Sequence, residues 1–318
     1  MSETVTVVIC TWNRAALLDQ TLERMHQLRI PEGVRWELVV VNNNCTDHTD
    51  EVIAQHAGRL PIVHLHEAQP GKGHACNLAL AHADGDLMAW TDDDVLVDPG
   101  WIEALVSAAR AHPDVAGFGG LVEPWFVQEP DPALAEAFPA LSTGFCGRDL
   151  GPEPRLLADW EYVVGANMAF RRSGVHGLTY NPRVGPMPNK LMLCEDMAYI
   201  DKVRQSGGRM LWVPAMRVRH YVDPARMTLR YLEEYNRGLG ESAARIAGLP
   251  AGLALVRRTL GVMLKWLRAY LLWTVARVSA PRRRRLARLA QYRYLSGYLK
   301  GYLSVCLEGR RHPPASAA

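Results

Sequence analysis

Short apolar runs alternate with amphipathic stretches over the first hundred residues, and this alternation constrains the fold more than any other feature of the chain. Strands are predicted over 5–10, 36–41, 62–65 and 86–91, and helices over 15–28, 49–56 and 75–83. A helix between successive strands carries the chain back across the sheet, so the strands lie parallel. The run 86–91 lacks clear alternation, which indicates burial on both faces. We therefore predict an open, largely parallel α/β sheet.

Polar residues follow three of these strands, at 11–14, 42–44 and 92–94. Ligands of open α/β sheets bind in the crevice outside the carboxyl ends of the strands. We therefore expect the three segments to meet in one crevice. From 117 to about 221 the pattern is less regular and contains Pro-rich loops, and we interpret this stretch as the second half of the same domain.

Three consecutive acids, Asp92, Asp93 and Asp94, end the fourth predicted strand. Carboxylates this close repel one another unless a cation neutralises them. Carboxylate oxygens are hard ligands and select Mg²⁺ or Mn²⁺. Such an ion would stabilise the negative charge of a departing diphosphate. The alternative is a solvated turn or a helix cap, because Asp98-Pro99 follows and a helix is predicted to begin near Gly100.

Charge is distributed unevenly along the 318 residues, whose formal net charge is +3. The residues after Pro250 carry fourteen Lys or Arg and one acid, a net charge of +13 that leaves −10 on the rest. Nucleic acid and anionic membranes both attract such a tail. The amphipathic pattern with Trp and Tyr favours an anionic membrane surface as the partner, and we expect no binding to nucleic acid. Charged residues every few positions argue against a helix that spans the membrane. The alternative is a helical pair packed on the body with solvated arginines.

These observations predict a catalytic domain over 1–245, with halves 1–116 and 117–245, and a basic amphipathic helical tail over 246–318. The six cysteines are scattered without a CxxC pair, which argues against a disulfide framework or a zinc site. The N-terminus shows no secretory signal. We therefore expect a cytoplasmic protein that associates peripherally with the inner face of the cell membrane.

Five blocks carry a resemblance to a known family: CTWNR at 10–14, ELVVVNNNCTDHT at 37–49, GKGHACNLALAHADGDLMAWTDDD at 71–94, GANMAFRR at 165–172 and CEDM at 194–197. In this order and spacing the chain resembles the family 2 glycosyltransferases over roughly residues 4 to 240. The resemblance implies the A-type glycosyltransferase fold, which has a Rossmann-like, mostly parallel sheet. It also implies an inverting transfer of a sugar from a nucleotide diphosphate sugar.

By the same resemblance, ten residues are expected to bind the nucleotide sugar: Thr11, Trp12, Asn13, Arg14, Asn42, Asn44, Lys72, Asn77, Asp92 and Asp93. Asn42 stands where the family often has an Asp that contacts the base, which makes uridine less assured although an amide can still form hydrogen bonds. Cys76 replaces the Arg of an Ala-Arg-Asn motif, so more of the cationic role falls to Lys72 and Arg14. Without the family context, Gly71-Lys72-Gly73 would equally indicate a surface turn.

The resemblance also implies a metal site and a catalytic base. Asp94, Asp92 and His220 are the expected metal ligands. Asp196 is the expected base, with Glu195 beside it, and the alternative for this pair is a salt bridge to Arg204 or Arg209. The expected sugar and acceptor region comprises Gly165, Ala166, Asn167 and Trp160, with Tyr162 as a second aromatic candidate, although aromatic residues more often belong to the core.

We therefore predict a metal-dependent, inverting transferase of the hexosyltransferase type, with a UDP-sugar as the expected donor. The expected acceptor is a membrane-held or lipid-linked glycan of bacterial surface polysaccharide or glycoconjugate synthesis. A nucleotidyltransferase is an alternative, but its Gly-rich first loop is missing after Cys10. A catalytically inactive nucleotide-sugar-binding scaffold is a second alternative, against which Asp94 and Asp196 together argue. A processive synthase is disfavoured because the chain has no QxxRW motif.

Overall fold

The computed structural model describes residues 3–135, 142–182, 194–247, 249 and 252–311. These residues form two compact units. The first comprises 3–125, 146–182 and 195–222, and the second comprises 126–135, 142–145, Cys194 and the described residues from Asp223 onward. Most of the predicted Pro-rich loop over 181–188 lies outside the described residues. The predicted domain division at residue 245 stays a prediction, because a packing unit does not by itself define a catalytic domain.

A nine-stranded sheet occupies the first unit. Its strands are β1 (Glu3–Thr11), β2 (Val34–Asn42), β3 (Ile62–His66), β4 (Leu87–Asp92), β5 (Val95–Val97), β6 (Gly117–Phe126), β7 (Arg155–Leu156), β8 (Met168–Arg171) and β9 (Met210–Val222). The order across the sheet is β3-β2-β1-β4-β8-β6-β9-β5, and β7 pairs with β9 off this path. Strand β3 therefore lies at one edge, and β4 lies near the middle.

The first four strands pair in parallel, β1 with both β2 and β4, and β2 with β3. The four predicted strands are confirmed, each within two residues of its predicted ends. Alternate residues of β1 are buried on opposite faces, with Val7 and Ile9 in one hydrophobic cluster and Val8 in the other. Burial on both faces explains why these strands appear in the sequence as continuous apolar runs.

Five long helices belong to the first unit: α1 (Ala15–Met25), α2 (Thr49–Ala57), α3 (Lys72–His82), α4 (Trp101–Ala111) and α5 (Glu195–Gln205). The predicted helices are confirmed, and two of their ends differ from the prediction by three residues. Helix α1 ends three residues earlier than predicted, because the Leu28 N–H bonds to the Met25 carbonyl in a tighter turn. Helix α3 begins three residues earlier, directly after Gly71, whose φ of 128° few other residues adopt.

The sheet is mixed, because its second half pairs antiparallel. Strand β8 runs antiparallel to both β4 and β6, and β9 runs antiparallel to β5 and β7. The parallel half and the antiparallel half meet between β4 and β8. The pairing of β5 with β9 sets Val95 opposite His220, and this register places the histidine next to the end of β4.

The second unit contains the helices α6 (Leu229–Ile246), α7 (Gly252–Ser279) and α8 (Arg282–Arg311). Helices α6 and α8 approach so closely that their backbones touch at glycines. A Cβ atom at Gly240 would collide with the Tyr294 carbonyl, and one at Gly297 would collide with the Arg237 carbonyl. The described helices include none that is both long enough and apolar enough to cross a membrane.

Candidate active site

The acidic cluster lies in the turn between β4, which ends at Asp92, and β5, which begins at Val95. All three side chains are largely withdrawn from solvent, and Asp94 is only 2% exposed. The cluster therefore lies at the carboxyl end of a central strand, where ligands of open α/β sheets bind. It is a buried group of acids and not the solvated turn that the sequence left open.

Asp92, Asp94 and His220 could together hold a metal ion, since one ligand atom from each lies within 4.8 Å of the others. The imidazole Nε2 of His220 is 3.6 Å from Asp92 Oδ2 and 3.6 Å from Asp94 Oδ1. Asp94 Oδ1 is buried and has no hydrogen-bond partner among the described residues. A buried carboxylate oxygen without a donor is costly unless a cation satisfies it, so these residues fit a divalent ion.

Asp93 is bonded within the protein. Its carboxylate accepts hydrogen bonds from Thr11 Oγ1 at 2.8 Å and from Arg14 Nη1 at 3.1 Å. Burial and the nearby Asp94 raise the pKa of Asp93 to about 6. The same Arg14 nitrogen lies 2.7 Å from Asp94 Oδ2. Although burial opposes the charge of Arg14, its acidic neighbours raise the pKa of this guanidinium above its ordinary value.

Lys72, the first residue of α3, connects the acidic cluster to α5. Its Nζ is 2.9 Å from Asp92 Oδ1 and 3.4 Å from Glu195 Oε1. Burial opposes the ammonium charge, but the carboxylates of Asp92, Asp196 and Glu195 raise the pKa of Lys72 well above its ordinary value. Burial likewise opposes the charge of Asp92, whose pKa Lys72 and His220 nevertheless hold low. Lys72 therefore contacts one carboxylate of the acidic cluster and one carboxylate of the Glu195–Asp196 pair.

Asp196 lies in the first turn of α5, and the backbone N–H of Gly165 donates to its Oδ2 at 2.7 Å. Its Oδ1 is buried and has no hydrogen-bond partner among the described residues. Burial, followed by the charge of Glu195, raises the pKa of Asp196 to about 7. An acid with one unsatisfied oxygen and a pKa near neutrality can accept a proton from a bound hydroxyl.

The alternative partners of the Glu195–Asp196 pair are engaged elsewhere. Arg204 donates to the carbonyls of Ala158, Asp159 and Glu161. Arg209 forms an ion pair with Asp114. The alternative, a salt bridge of the Glu195–Asp196 pair to either arginine, is therefore not formed among the described residues, and Lys72 is the cation beside Glu195.

The loop after β1 and the end of β2 are held together by side-chain amides. Asn13 has a φ of 51°, and its Oδ1 accepts from the Thr46 N–H at 2.7 Å. Asn42 donates to Asp50 Oδ1 at 2.6 Å and accepts from the Cys45 N–H at 2.8 Å. The polar atoms of Asn42 are thus bonded inside the protein. By contrast, Trp12 is 50% exposed at this end of the sheet.

Three predicted residues of the site have structural partners. Asn77 bonds through both amide atoms to the backbone of Tyr180. Asn167 is fully buried, where it accepts from Trp101 Nε1 and donates to the carbonyls of Leu121 and Met216. The carbonyl of Ala166 accepts from Thr91 Oγ1. In this arrangement these amide and carbonyl groups hold the sheet and its loops together.

The remaining predicted residues are exposed or have partners of their own. Trp160 is 81% exposed. Tyr162 donates to Asp201 at 2.8 Å and lies under the Arg204 guanidinium, so its hydroxyl and one face of its ring already have partners. Asn44 is exposed and has a φ of 62°, which places it in a turn.

Asn43 is a positioning residue of the candidate site that sequence reasoning missed. Its amide nitrogen donates to the carbonyls of Glu67 and Gln69, and its Oδ1 accepts from the Gly71 N–H at 2.9 Å. This one side chain therefore fixes the loop that presents Lys72. The run Asn42–Asn44 indicated a polar strand end, but the sequence did not show which of its amides reaches that loop.

The chain is similar to known glycosyltransferases. Residues 6–136 match the family model described as glycosyl transferase family 2. The glucosyl-dolichyl phosphate glucuronosyltransferase of Haloferax volcanii is 25% identical over an alignment of 231 residues that covers 68% of this chain and 68% of that protein. The validoxylamine A glucosyltransferase of Streptomyces hygroscopicus subsp. limoneus is 35% identical over 112 residues, which are 34% of this chain and only 24% of that protein.

Among solved structures, the chain is similar to the mannosyltransferase PcManGT from Pyrobaculum calidifontis, determined in complex with GDP-Man and Mn²⁺. The TM-score is 0.61 at 20% sequence identity, and the match covers 94% of this chain and 87% of that one. A likeness at this identity shows the fold, which is the A-type glycosyltransferase fold with a helical C-terminal part.

Proposed function

We propose that this chain, whose residues 6–136 match the family 2 glycosyltransferase model, moves one sugar with inversion from a nucleotide diphosphate sugar to a lipid-linked acceptor. The observation that carries the proposal is the Asp196 carboxylate. One of its oxygens is held by the Gly165 N–H, and the other is buried without a hydrogen-bond partner among the described residues. That second oxygen is available to an acceptor hydroxyl.

The donor diphosphate is proposed to bind at the acidic cluster. Asp92, Asp94 and His220 would hold a Mn²⁺ or Mg²⁺ ion, which supplies positive charge against the departing diphosphate. Arg14 and Lys72 are the cations that contact this cluster. Both already lie beside carboxylates, so each cation stays paired whether or not the diphosphate is bound.

Asp196 is proposed to act as the general base. In an inverting displacement the acceptor hydroxyl attacks the anomeric carbon from the face opposite the diphosphate, and it loses its proton during the attack. The high pKa of Asp196 suits this transfer, because a base with a pKa near the working pH both binds the proton and is available to receive it. Glu195 contributes through its charge, the second cause of that high pKa.

The donor is proposed to be a UDP-sugar, although Asn42 stands where the family often has an Asp that contacts the base. Asn42 is bonded to Asp50 and to the Cys45 N–H, so its contact with a base would require one of these bonds to be exchanged. Trp12 is the half-exposed aromatic residue of the β1 loop and offers a ring face for stacking. Base recognition is therefore assigned to Trp12 and to the backbone of the β1 and β2 loops as well as to Asn42.

The lipid-linked acceptor is supported by the relative from Haloferax volcanii, whose name specifies a glucosyl-dolichyl phosphate. The second unit provides independent support. Helix α7 exposes nine large apolar side chains: Leu253, Val256, Leu260, Met263, Leu264, Leu267, Leu271, Val275 and Val278. At about 100° per residue they occupy an arc of roughly 120°, and Val262, Ala269 and Ala276 on the opposite face are buried.

Cations lie beside this apolar face of α7. Arg257, Lys265 and Arg268 are exposed along one of its borders, and the exposed run Arg282–Arg285 follows the helix. An apolar stripe of this width flanked by cations matches a helix that lies in the interface of an anionic membrane. We propose that the second unit holds the chain on a bilayer surface where a lipid-linked acceptor resides.

The test is a turnover screen with the full chain. Nucleotide diphosphate sugars are offered one at a time with Mn²⁺ or Mg²⁺ and with vesicles that contain polyprenyl phosphate or its glycosylated forms. The expected result is nucleoside diphosphate release together with a new glycolipid of inverted anomeric configuration by NMR. Pyrophosphate release from a nucleoside triphosphate would instead identify a nucleotidyltransferase, and donor binding without turnover under every condition would identify a scaffold.

A further inference from the structure

Two further clusters of metal-ligating side chains lie outside the candidate active site. In one of them, Glu23, His26 and His56, the two imidazoles are hydrogen-bonded to each other and His56 is bonded to Asp19, whereas the other lies at the edge of the sheet. His64 and His66 occupy alternate positions of the edge strand β3, so both side chains project from the same face. Asp50, in the first turn of α2, lies against them. The three residues come from two elements that the fold of the first unit holds together.

The distances suit one ion. His64 Nε2 is 3.2 Å and His66 Nε2 is 3.9 Å from Asp50 Oδ1, and one ligand atom from each of the three residues lies within 4.8 Å of the others. The two imidazole centroids are 4.4 Å apart. Nitrogen and oxygen ligands lie about 2.0–2.2 Å from a tetrahedral Zn²⁺, which places them roughly 3.3–3.6 Å from each other. Small side-chain rotations bring these three atoms to that spacing.

The state of His64 also suits a metal. Its Nε2 is buried and has no hydrogen-bond partner among the described residues, although Asp50 Oδ1 lies 3.2 Å away. Burial, and then the neighbouring His66, lower the pKa of His64, while Asp50 opposes this shift. Neutral imidazole is the form that ligates metals. His66 and Asp50 are 61% and 53% exposed, which leaves an ion and a fourth ligand from water free to enter.

Asn42 orients the carboxylate of this cluster. Its Nδ2 donates to Asp50 Oδ1 at 2.6 Å, and it stands beside His66 in the register of β2 with β3. Metal-ligating carboxylates are commonly held by such an outer hydrogen bond. The cluster therefore has ligands, an orienting partner and access to solvent.

We propose that Asp50, His64 and His66 form a second metal site of this chain, one that takes zinc-class ions. Two imidazoles and one carboxylate favour Zn²⁺ and its neighbours in the transition series, whereas Asp92 and Asp94 supply the oxygen ligands that Mn²⁺ and Mg²⁺ prefer. The two sites can therefore be distinguished by which metal ion each one prefers. The proposal does not depend on sugar transfer, and it can be tested by binding alone.

The experiment measures Zn²⁺ binding by calorimetry to the full chain without a histidine affinity tag, in the Asp94→Asn background that disables the first site. One equivalent of Zn²⁺ is expected to bind. Adding His64→Ala or His66→Ala should weaken this binding by at least about tenfold, since even the loss of an outer hydrogen bond to a metal ligand costs roughly 10–100-fold. His176→Ala, which removes an exposed histidine elsewhere, is the matched control and should leave the affinity unchanged.

Co²⁺ provides a second readout, because its visible absorption reports both ligand number and geometry. The Asp94→Asn protein should show the intense bands of four-coordinate Co²⁺, and His66→Gln, which keeps a polar side chain at this exposed position, should remove them. Far-ultraviolet circular dichroism confirms that each variant is folded. Zn²⁺ binding that survives both histidine substitutions, or that is absent once Asp94 is replaced, would overturn the proposal.

Discussion

The backbone N–H of Gly165 donates to Oδ2 of Asp196 at 2.7 Å, and a Cβ atom at position 165 would lie 2.6 Å from that same oxygen. Glycine is therefore required at position 165 by the close approach of the carboxylate and not by an unusual φ. The bond fixes one oxygen of Asp196 and leaves the other without a partner among the described residues. The position of the proposed base in the candidate active site therefore depends on a contact between two residues that lie 31 positions apart in the sequence.

Replacing Asp196 with Asn is expected to abolish sugar transfer while nucleotide binding is retained. The amide cannot accept the hydroxyl proton, and general-base catalysis contributes roughly 10²–10⁴-fold to a rate. Turnover is measured by nucleoside diphosphate release, and binding by calorimetry. Asp159→Asn, at an exposed position of the same unit, is the control and should behave like the parent protein. Near-normal turnover of the Asp196→Asn protein would show that another group is the base.

Replacing Gly165 with Ala is expected to lower kcat by about 100-fold, because displacing a catalytic group by about 1 Å costs that much. The new methyl group would push the Asp196 carboxylate away. Nucleotide affinity should change little. Gly58→Ala is the matched control, since a Cβ atom there meets nothing within 4 Å. If both variants turn over equally, the position of Asp196 does not depend on Gly165.

The rate should depend on pH through Asp196. Its pKa of about 7 lies above that of an ordinary Asp, and the base works only when ionised, so kcat/KM should fall about tenfold per pH unit below 7. Burial is the first cause of the high pKa and the charge of Glu195 is the second. Glu195→Gln removes that charge and should therefore move the acidic limb to lower pH. A limb that stays in place would assign the titration to a different group.

Replacing Asp94 with Asn should weaken Mn²⁺ binding by at least about tenfold, because the buried Oδ1 without a hydrogen-bond partner is lost as an anionic ligand. His220→Gln should have an effect in the same direction. Binding is followed by electron paramagnetic resonance of free Mn²⁺, and transfer should be lost on chelation and restored by added metal. His82→Gln, at an exposed position on α3, is the control. Mn²⁺ affinity equal to that of the parent protein in both variants would place the metal elsewhere.

Membrane binding should depend on the apolar face of α7. Leu260→Ser combined with Leu264→Ser removes two exposed leucines, each of which contributes on the order of 1 kcal/mol or more when buried in lipid. Cosedimentation with anionic vesicles should weaken at least roughly tenfold. Leu156→Ser, at an exposed position of the first unit, should have no effect. Unchanged cosedimentation of the double variant would leave α7 as an ordinary solvent-facing helix.

The sequence predicts the first half of the sheet well because its strands are continuous apolar runs separated by periodic helices. The antiparallel half is harder to predict, since β6, β8 and β9 are paired by contacts between distant residues and not by a local pattern. The sequence predicts the acidic cluster because its three aspartates are consecutive. It does not predict the contact between Lys72 and Glu195, because this contact joins two helices that lie more than a hundred residues apart.

Amides were the least predictable residues of the site. Asn77 and Asn167 match motif positions, yet the polar atoms of both side chains bond to groups inside the protein. An Asn side chain can both donate and accept hydrogen bonds, so it can bond to the protein backbone as readily as to a ligand. The residue type alone does not tell which of the two it binds. Asn43, which matches no recognised function, instead fixes the loop before Lys72.

The charges described in the candidate active site do not balance. Five carboxyl groups, those of Asp92, Asp93, Asp94, Glu195 and Asp196, share the permanent cations Lys72 and Arg14. The high pKa values of Asp93 and Asp196 reduce this excess only in part. A nucleotide diphosphate, itself an anion, is therefore repelled unless its charge is compensated before it arrives. We therefore expect a metal cation to enter the site before the diphosphate does.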